Sequence, residues 1–273
     1  MDFLILKKLR FDFIVVVSIL TIYLIKKQIM NKYLSLIIFL IPFIGFSQNI
    51  NDDKAKKIIN QCVSAHGGKL YEKVHISFDF RQFHFVIKTN KGDYYYERTY
   101  TDSTGNKMRD VLQNGIYLHE KNGEKTSLSQ KMEDRYRESV NSVAYFMLLP
   151  YKLKDKAVRS TYVGSTEIDG NTYDKIKVWF DQEGGGRDYE DIFCYWIHQK
   201  NHTLDYLAYS NGGPRFRKVS KRDNVGGIIF QNYDNYKILD DQISADQYDD
   251  AFLSGKASLL SKIEQTNYSV IKK

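Results

Sequence analysis

What most restricts the fold of this chain is a long succession of short segments in which apolar residues recur at every second position, each closed by Gly, Asn or Asp. Such alternation puts apolar side chains on one face of a strand, and connections this short permit only antiparallel neighbours. The first segment runs through Val74, Ile76, Phe78 and Phe80, then Phe83, Phe85 and Ile87. Its phase changes by one at Arg81-Gln82, which reads as a β-bulge. Strands follow over 94–101, 108–113 and 116–120, divided by the turn at 102–106 and by Asn114-Gly115, a strong hairpin signal. Further on, 162–168 and 172–180 form a hairpin around Asp169-Gly170-Asn171, and strands continue over 189–198, 204–210, 215–221 and 228–236.

Only two stretches carry helical spacing. Ile58, Ile59, Cys62 and Val63 make a stripe behind Asp52-Asp53, which reads as the N-cap, and Gly67-Gly68 stops it. Between Gln130 and Leu149, apolar residues from Met132 to Met147 recur at three- and four-residue steps. Glu133 and Arg137 form an i, i+4 pair there, and Pro150 ends the helix. Nine or ten consecutive strands with two helices exclude alternating βαβ units and predict an α+β domain: one large, curved antiparallel sheet covered by one or two helices. Both phases are apolar over 192–197, so both faces must be covered there, one of them by a helix. Such a sheet encloses either a packed core or a lipophilic cleft.

The first 47 residues read as a targeting device. Their two apolar runs, 13–25 and 33–46, are shorter than the roughly 20 residues that span a bilayer as a helix. The second follows the basic start Met30-Asn31-Lys32 and ends at Gly45-Phe46-Ser47 before Gln48, the pattern of a secretory signal peptide over 30–47. Residues 1–29 are then an upstream start or a short membrane segment, and 48–273 one exported domain, periplasmic or secreted. The same 47 residues hold six Lys or Arg against two Asp, and so carry +4 of the net +7. The near-balanced remainder gives no basis for binding nucleic acid. Cys62 and Cys194 would meet an oxidising compartment, either paired or as two buried thiols.

No catalytic, metal or cofactor motif is recognisable. The six histidines lack ligand spacing, although His75 and His84 share a face across the expected bulge. Ser254-Gly255-Lys256 lacks the upstream glycine of a phosphate loop, and Gly164-Ser165-Thr166 the second glycine of a nucleophile elbow. The segment 184–191 gathers three glycines with Arg187, Asp188, Glu190 and Asp191. It is either a solvated turn, or a mobile rim whose carboxylates serve acid–base work or a cation. Arg81, expected to point into the sheet's concavity, and Arg215 and Arg217 beside Phe216 serve either structural pairing or an anionic headgroup. Asn141 is a helix-to-strand hydrogen-bonding residue or a ligand contact, and Trp196 and Tyr209, among the aromatics that crowd the strands, are candidate ligand contacts.

Several motifs taken together resemble a known family. Ala65-His66-Gly67-Gly68, Phe78-Asp79-Phe80-Arg81, Asn141-Ser142-Val143-Ala144-Tyr145-Phe146 and Leu149-Pro150-Tyr151 are followed by Gly184-Gly185-Gly186 and Tyr195-Trp196-Ile197. Asp205-Tyr206-Leu207-Ala208-Tyr209 and Arg215-Phe216-Arg217 complete the order. Over about 54–240 the chain is similar to exported Gram-negative proteins grouped as a domain of unknown function. The resemblance implies a LolA-like lipoprotein-carrier architecture, an incomplete β-barrel closed by helices over an apolar cavity. Some members carry a deoxyribose-phosphate-type aldolase label, but such an aldolase needs a (β/α)₈ barrel and a Schiff-base lysine. Consecutive strands and an export signal contradict both. The expectation is therefore a monomeric, non-enzymatic periplasmic carrier of an apolar or lipid-like ligand. The alternatives are an envelope hydrolase or lyase using the acidic rim, and a scaffold whose sheet edge pairs with an envelope protein.

Overall fold

Turn chemistry sets the strand pairing. Asn114 and Gly115 both adopt left-handed backbone (φ 46° and 84°) and join β4 (Lys107–Gln113) to β5 (Ile116–Lys121). The phase change at Arg81-Gln82 is a turn as well, not the expected bulge. Phe80 pairs directly with Phe83 between β1 (Lys73–Phe80) and β2 (Phe83–Asn90), with Arg81 at φ 58°. A two-residue loop shifts the alternation by one, as a bulge does, so the sequence pattern alone is ambiguous. His84 consequently faces Asp79 across the hairpin, its Nδ1 2.7 Å from the carboxylate, and does not meet His75.

The computed structural model describes residues 45–184, 189–210, 212–240 and 242–272, and 52–273 form one compact unit. The remaining strands are β3 (Asp93–Thr101), β6 (Glu124–Lys125), β7 (Val158–Ile168), β8 (Asn171–Phe180), β9 (Phe193–His198) and β10 (Leu204–Tyr209). After them come β11 (Arg215–Val225), β12 (Ile228–Ile238), β13 (Ala257–Ile263) and β14 (Gln265–Lys272). The α+β class and the antiparallel pairing are as expected, but the single sheet is two. One sheet has the order β14-β1-β2-β3-β4-β5-β6 and the other β13-β12-β11-β10-β9-β8-β7, and neither closes into a barrel. The chain crosses from one to the other at Glu264, between β13 and β14. Sequence pattern missed these last two strands because β13 is largely exposed on both phases, leaving no apolar alternation to read.

Among the described residues three α-helices complete the fold: α1 (Gly45–His66), α2 (Gln130–Met147) and the short α3 (Tyr248–Leu253). Helix α1 begins seven residues before the expected cap at Asp52, and glycine ends it as expected, Gly67 taking φ 138°. Its Ile58, Ile59, Cys62 and Val63 pack on Ile176, Tyr195, Ile197 and Leu207 of the second sheet. The opposite face of that sheet, with Cys194, Trp196, Tyr206 and Phe216, lies under Tyr248 and Ala251 of α3. All six residues of β9 are buried as a result. Cys62 and Cys194 fall on opposite faces as free, buried thiols, and burial holds both well above the ordinary thiol range. Helix α2 sends Val140, Ala144 and Met147 into the core of the first sheet, against Ile76, Phe78, Phe85 and Ile87. No helix among the described residues is long and apolar enough to cross a membrane.

At the end of α1, His66 is completely buried and its Nε2 accepts the Leu204 N–H at 3.1 Å. Burial, reinforced by Arg222, lowers its pKa from 6.5 to about 4. Between those values the unfolded chain binds the proton and the folded one does not, so stability must fall as pH drops from about 6.5 to 4. The loss reaches the order of 3 kcal/mol. Urea midpoints measured across this window should fall in the wild type and flatten in His66→Gln, whereas equal slopes would refute the assignment.

Candidate functional site

Three adjacent strands place charged residues in phase with buried aromatics. Arg98 of β3 pairs directly with Asp110 of β4, and Asp110 with His119 of β5, so the three form one row across the sheet. The wholly buried Asp110 accepts Nε (2.9 Å) and Nη2 (2.6 Å) of Arg98 on one oxygen. Its other oxygen accepts the Tyr117 hydroxyl (2.6 Å) and lies 2.8 Å from His119 Nδ1. Burial and then Asp110 push the Tyr117 hydroxyl far above the usual phenol range. The Arg98 guanidinium sits over the rings of Phe83 (5.0 Å), Tyr100 (5.5 Å) and Tyr136 (5.5 Å). Its Nη1 donates to Ser139 Oγ at 2.9 Å, which fixes α2 to the sheet. None of the three residues was singled out from sequence. The available signal was a charged residue occupying the apolar phase of three successive strands.

Held in this way, α2 turns Asp134, Arg137, Glu138, Asn141 and Tyr145, spaced by three and four residues, toward a half-open cleft of about 620 Å³. The sheet supplies Tyr94, Tyr96 and Leu112, and the segments after α2 and β8 supply Lys152, Asp155, Phe180 and Gly184. The lining therefore mixes aromatic rings with charged and amide groups. Arg137 pairs with Glu133 at 2.6 Å, as its i, i+4 spacing predicts. The Lys152 ammonium lies 2.7 Å from Asp155. Burial opposes its charge, but Tyr96 and Asp155 together hold its pKa above the ordinary lysine value. Tyr145 reaches from the cleft wall to Tyr195, the two hydroxyls 3.2 Å apart.

The residues singled out from sequence scatter. Asn141 and Gly184 meet in the cleft, and Asn141 makes no side-chain hydrogen bond among the described residues, leaving the helix-to-strand bond to Ser139. Arg187 and Asp188 lie outside the described residues, Glu190 is exposed and accepts the Tyr189 hydroxyl at 3.0 Å, and Asp191 is half-buried. Arg81 does not point into a concavity. It sits exposed at its hairpin tip, 5.1 Å over Phe80, on a separate and more open cleft of about 810 Å³. Trp196 is fully buried under α3, edge-on to Phe216 at 5.1 Å. Tyr209 and Arg217 are adjacent, with the Arg217 Nη2 donating to the Tyr209 hydroxyl at 2.6 Å, and Arg215 bonds back to the Pro214 carbonyl at 3.0 Å.

Two antiparallel sheets, neither closed into a barrel, with a cleft beside α2, define an α+β protein. The chain belongs to the Family of unknown function (DUF6503), whose model matches residues 18–265. No curated protein matches it. Among solved structures it is similar to a LolA superfamily protein from Nitrosomonas europaea, with 11% identity, a TM-score of 0.45, and 79% of this chain covering 92% of that one. It is also similar to a DUF1329 family protein from Desulfovibrio piger, with 8% identity, a TM-score of 0.40, and 80% of this chain covering 92% of that one.

The Arg98–Asp110 pair makes a direct prediction. Asp110→Asn leaves a buried guanidinium without its counter-ion and should lower the unfolding free energy by about 3–5 kcal/mol. Arg98→Met combined with it should recover much of that loss. Additive losses in guanidinium denaturation would show that the pair is not the fastening of α2.

Proposed function

We propose that the protein is an exported, non-enzymatic carrier that holds a lipid-like molecule in the cleft beside α2. The observation that carries this is the cleft's mixed lining: the rings of Tyr94, Tyr96, Tyr145 and Phe180 beside charged and amide groups around Asn141. An amphiphile matches such a lining, with its chain against the rings and its polar part along the helix. The volume of about 620 Å³ falls within the range of ligand pockets, roughly 300–1,000 Å³. The aromatics elsewhere are spent in three packed clusters, so the capacity lies in this cleft and not in a hollow barrel. Export is supported by the basic start, apolar core and small-x-small ending over 30–47, which lie outside the described residues apart from the first turn of α1.

A fluorescent fatty-acid probe should bind the purified protein with one-to-one stoichiometry. Asn141→Trp, which fills the cleft from a half-buried position, should weaken uptake at least about tenfold while leaving the melting temperature within a few degrees. Unchanged uptake would place the ligand elsewhere, and no uptake by the wild type would remove the carrier assignment. Amino-terminal sequencing of protein recovered from the cell envelope should begin at or near Gln48. A chain that still carried residues 30–47 would contradict cleavage there.

A further inference from the structure

Among the described residues Arg98 and Arg217 are the buried Lys or Arg side chains, and only Arg98 is paired with an acid. Arg98 has Asp110, and the Lys175 Nζ lies 3.0 Å from both oxygens of the buried Asp249. Arg217 is only 9% exposed, yet no carboxylate among the described residues lies within ion-pair distance. Its one side-chain hydrogen bond goes to the Tyr209 hydroxyl, and its Nε is buried without a partner. Arg215, two residues earlier on the same face of β11, also has no carboxylate among the described residues and bonds only the carbonyls of Pro214 and Gly212. Asn235, the cross-strand partner of Arg217, is buried with its Oδ1 unpartnered. Desolvating a charge without a counter-ion is strongly unfavourable, so a site of this kind is poised for an external anion.

The surroundings indicate what carries that anion. The Arg217 guanidinium lies 4.1 Å from the centre of the Phe146 ring and 5.0 Å from that of Tyr209, and both rings are half-exposed. Phe146 in turn touches Tyr145, which lines the cleft, at 5.7 Å between ring centres. We propose that Arg217 is the receptor for the carboxylate or phosphate headgroup of a singly anionic amphiphile whose apolar chain lies along the adjoining aromatic wall toward the cleft. The planar guanidinium meets either oxyanion through its Nη donors, its Nε being buried, and the flanking rings exclude water from the pair. This deepens the carrier assignment and rests on it.

The test compares hexadecanoate, its uncharged methyl ester and a lysophosphatidylglycerol of the same chain length, whose phosphodiester is singly charged, by competition against a bound fluorescent probe. The wild type should prefer at least one of the anions to the ester by about tenfold or more, and whichever anion binds tighter identifies the headgroup. Arg217→Met should erase that preference while still taking up the ester, and Arg217→Lys should retain part of it. Equal binding of ester and anions by the wild type would overturn the proposal without touching the carrier assignment, and so would a preference that survives in Arg217→Met. Failure of all three ligands to compete would remove the carrier assignment itself. Should Arg217→Met fail to fold, the wild-type comparison and Arg217→Lys decide the matter.

Discussion

A single buried carboxylate organises this molecule. Asp110 gathers Arg98, Tyr117 and His119 from three neighbouring strands, and through Arg98 reaches Ser139 on α2. Breaking such a pair leaves a charge stranded in an apolar interior, so the helix has one seat on the sheet. That seat fixes which side of α2 is dry and which faces the cleft. Val140, Ala144 and Met147 turn into the core, while Arg137, Asn141 and Tyr145 border the open space. The cleft is therefore a consequence of how the helix is fastened.

The two sheets divide the labour of burial. The second sheet is covered on both faces, by α1 and by α3, and β9 between them is buried throughout. From it Tyr195 meets Tyr145 of α2. The first sheet carries α2 and stays open beside it. Aromatic rings link the two regions, from Tyr145 through Phe146 to Phe193 and Tyr209, and the guanidinium of Arg217 lies at the end of that series. Aromatic surface and the Arg217 guanidinium, which has no carboxylate within ion-pair distance among the described residues, thus occur side by side.

Much of the fold was legible because most strands have one wet and one dry face, and the alternation shows it. The hairpins at Asn114-Gly115 and Asp169-Gly170 and the helix ended by Pro150 could be read directly. Arg81-Gln82 misled because a two-residue turn and a bulge leave the same phase shift. Strands β13 and β14 were invisible because they are largely exposed and so carry little apolar alternation, their pairing being set by strands distant in the chain. At the site, Asn141 and Arg217 could be named but not their relation to the cleft. The Arg98–Asp110–His119 row was missed because it exists only once three strands are in register. Trp196 looked like a ligand contact because an aromatic in a strand gives no sign of which face will be covered, and α3, which covers it, is only six residues long.

The most direct test is to purify the protein gently from its own cell envelope and weigh it intact by native mass spectrometry, then extract it with organic solvent and identify what is released. One equivalent of an amphiphile bearing a single anionic headgroup is the expected result. Protein recovered at its bare mass from envelopes rich in such molecules, with nothing in the extract, would contradict it.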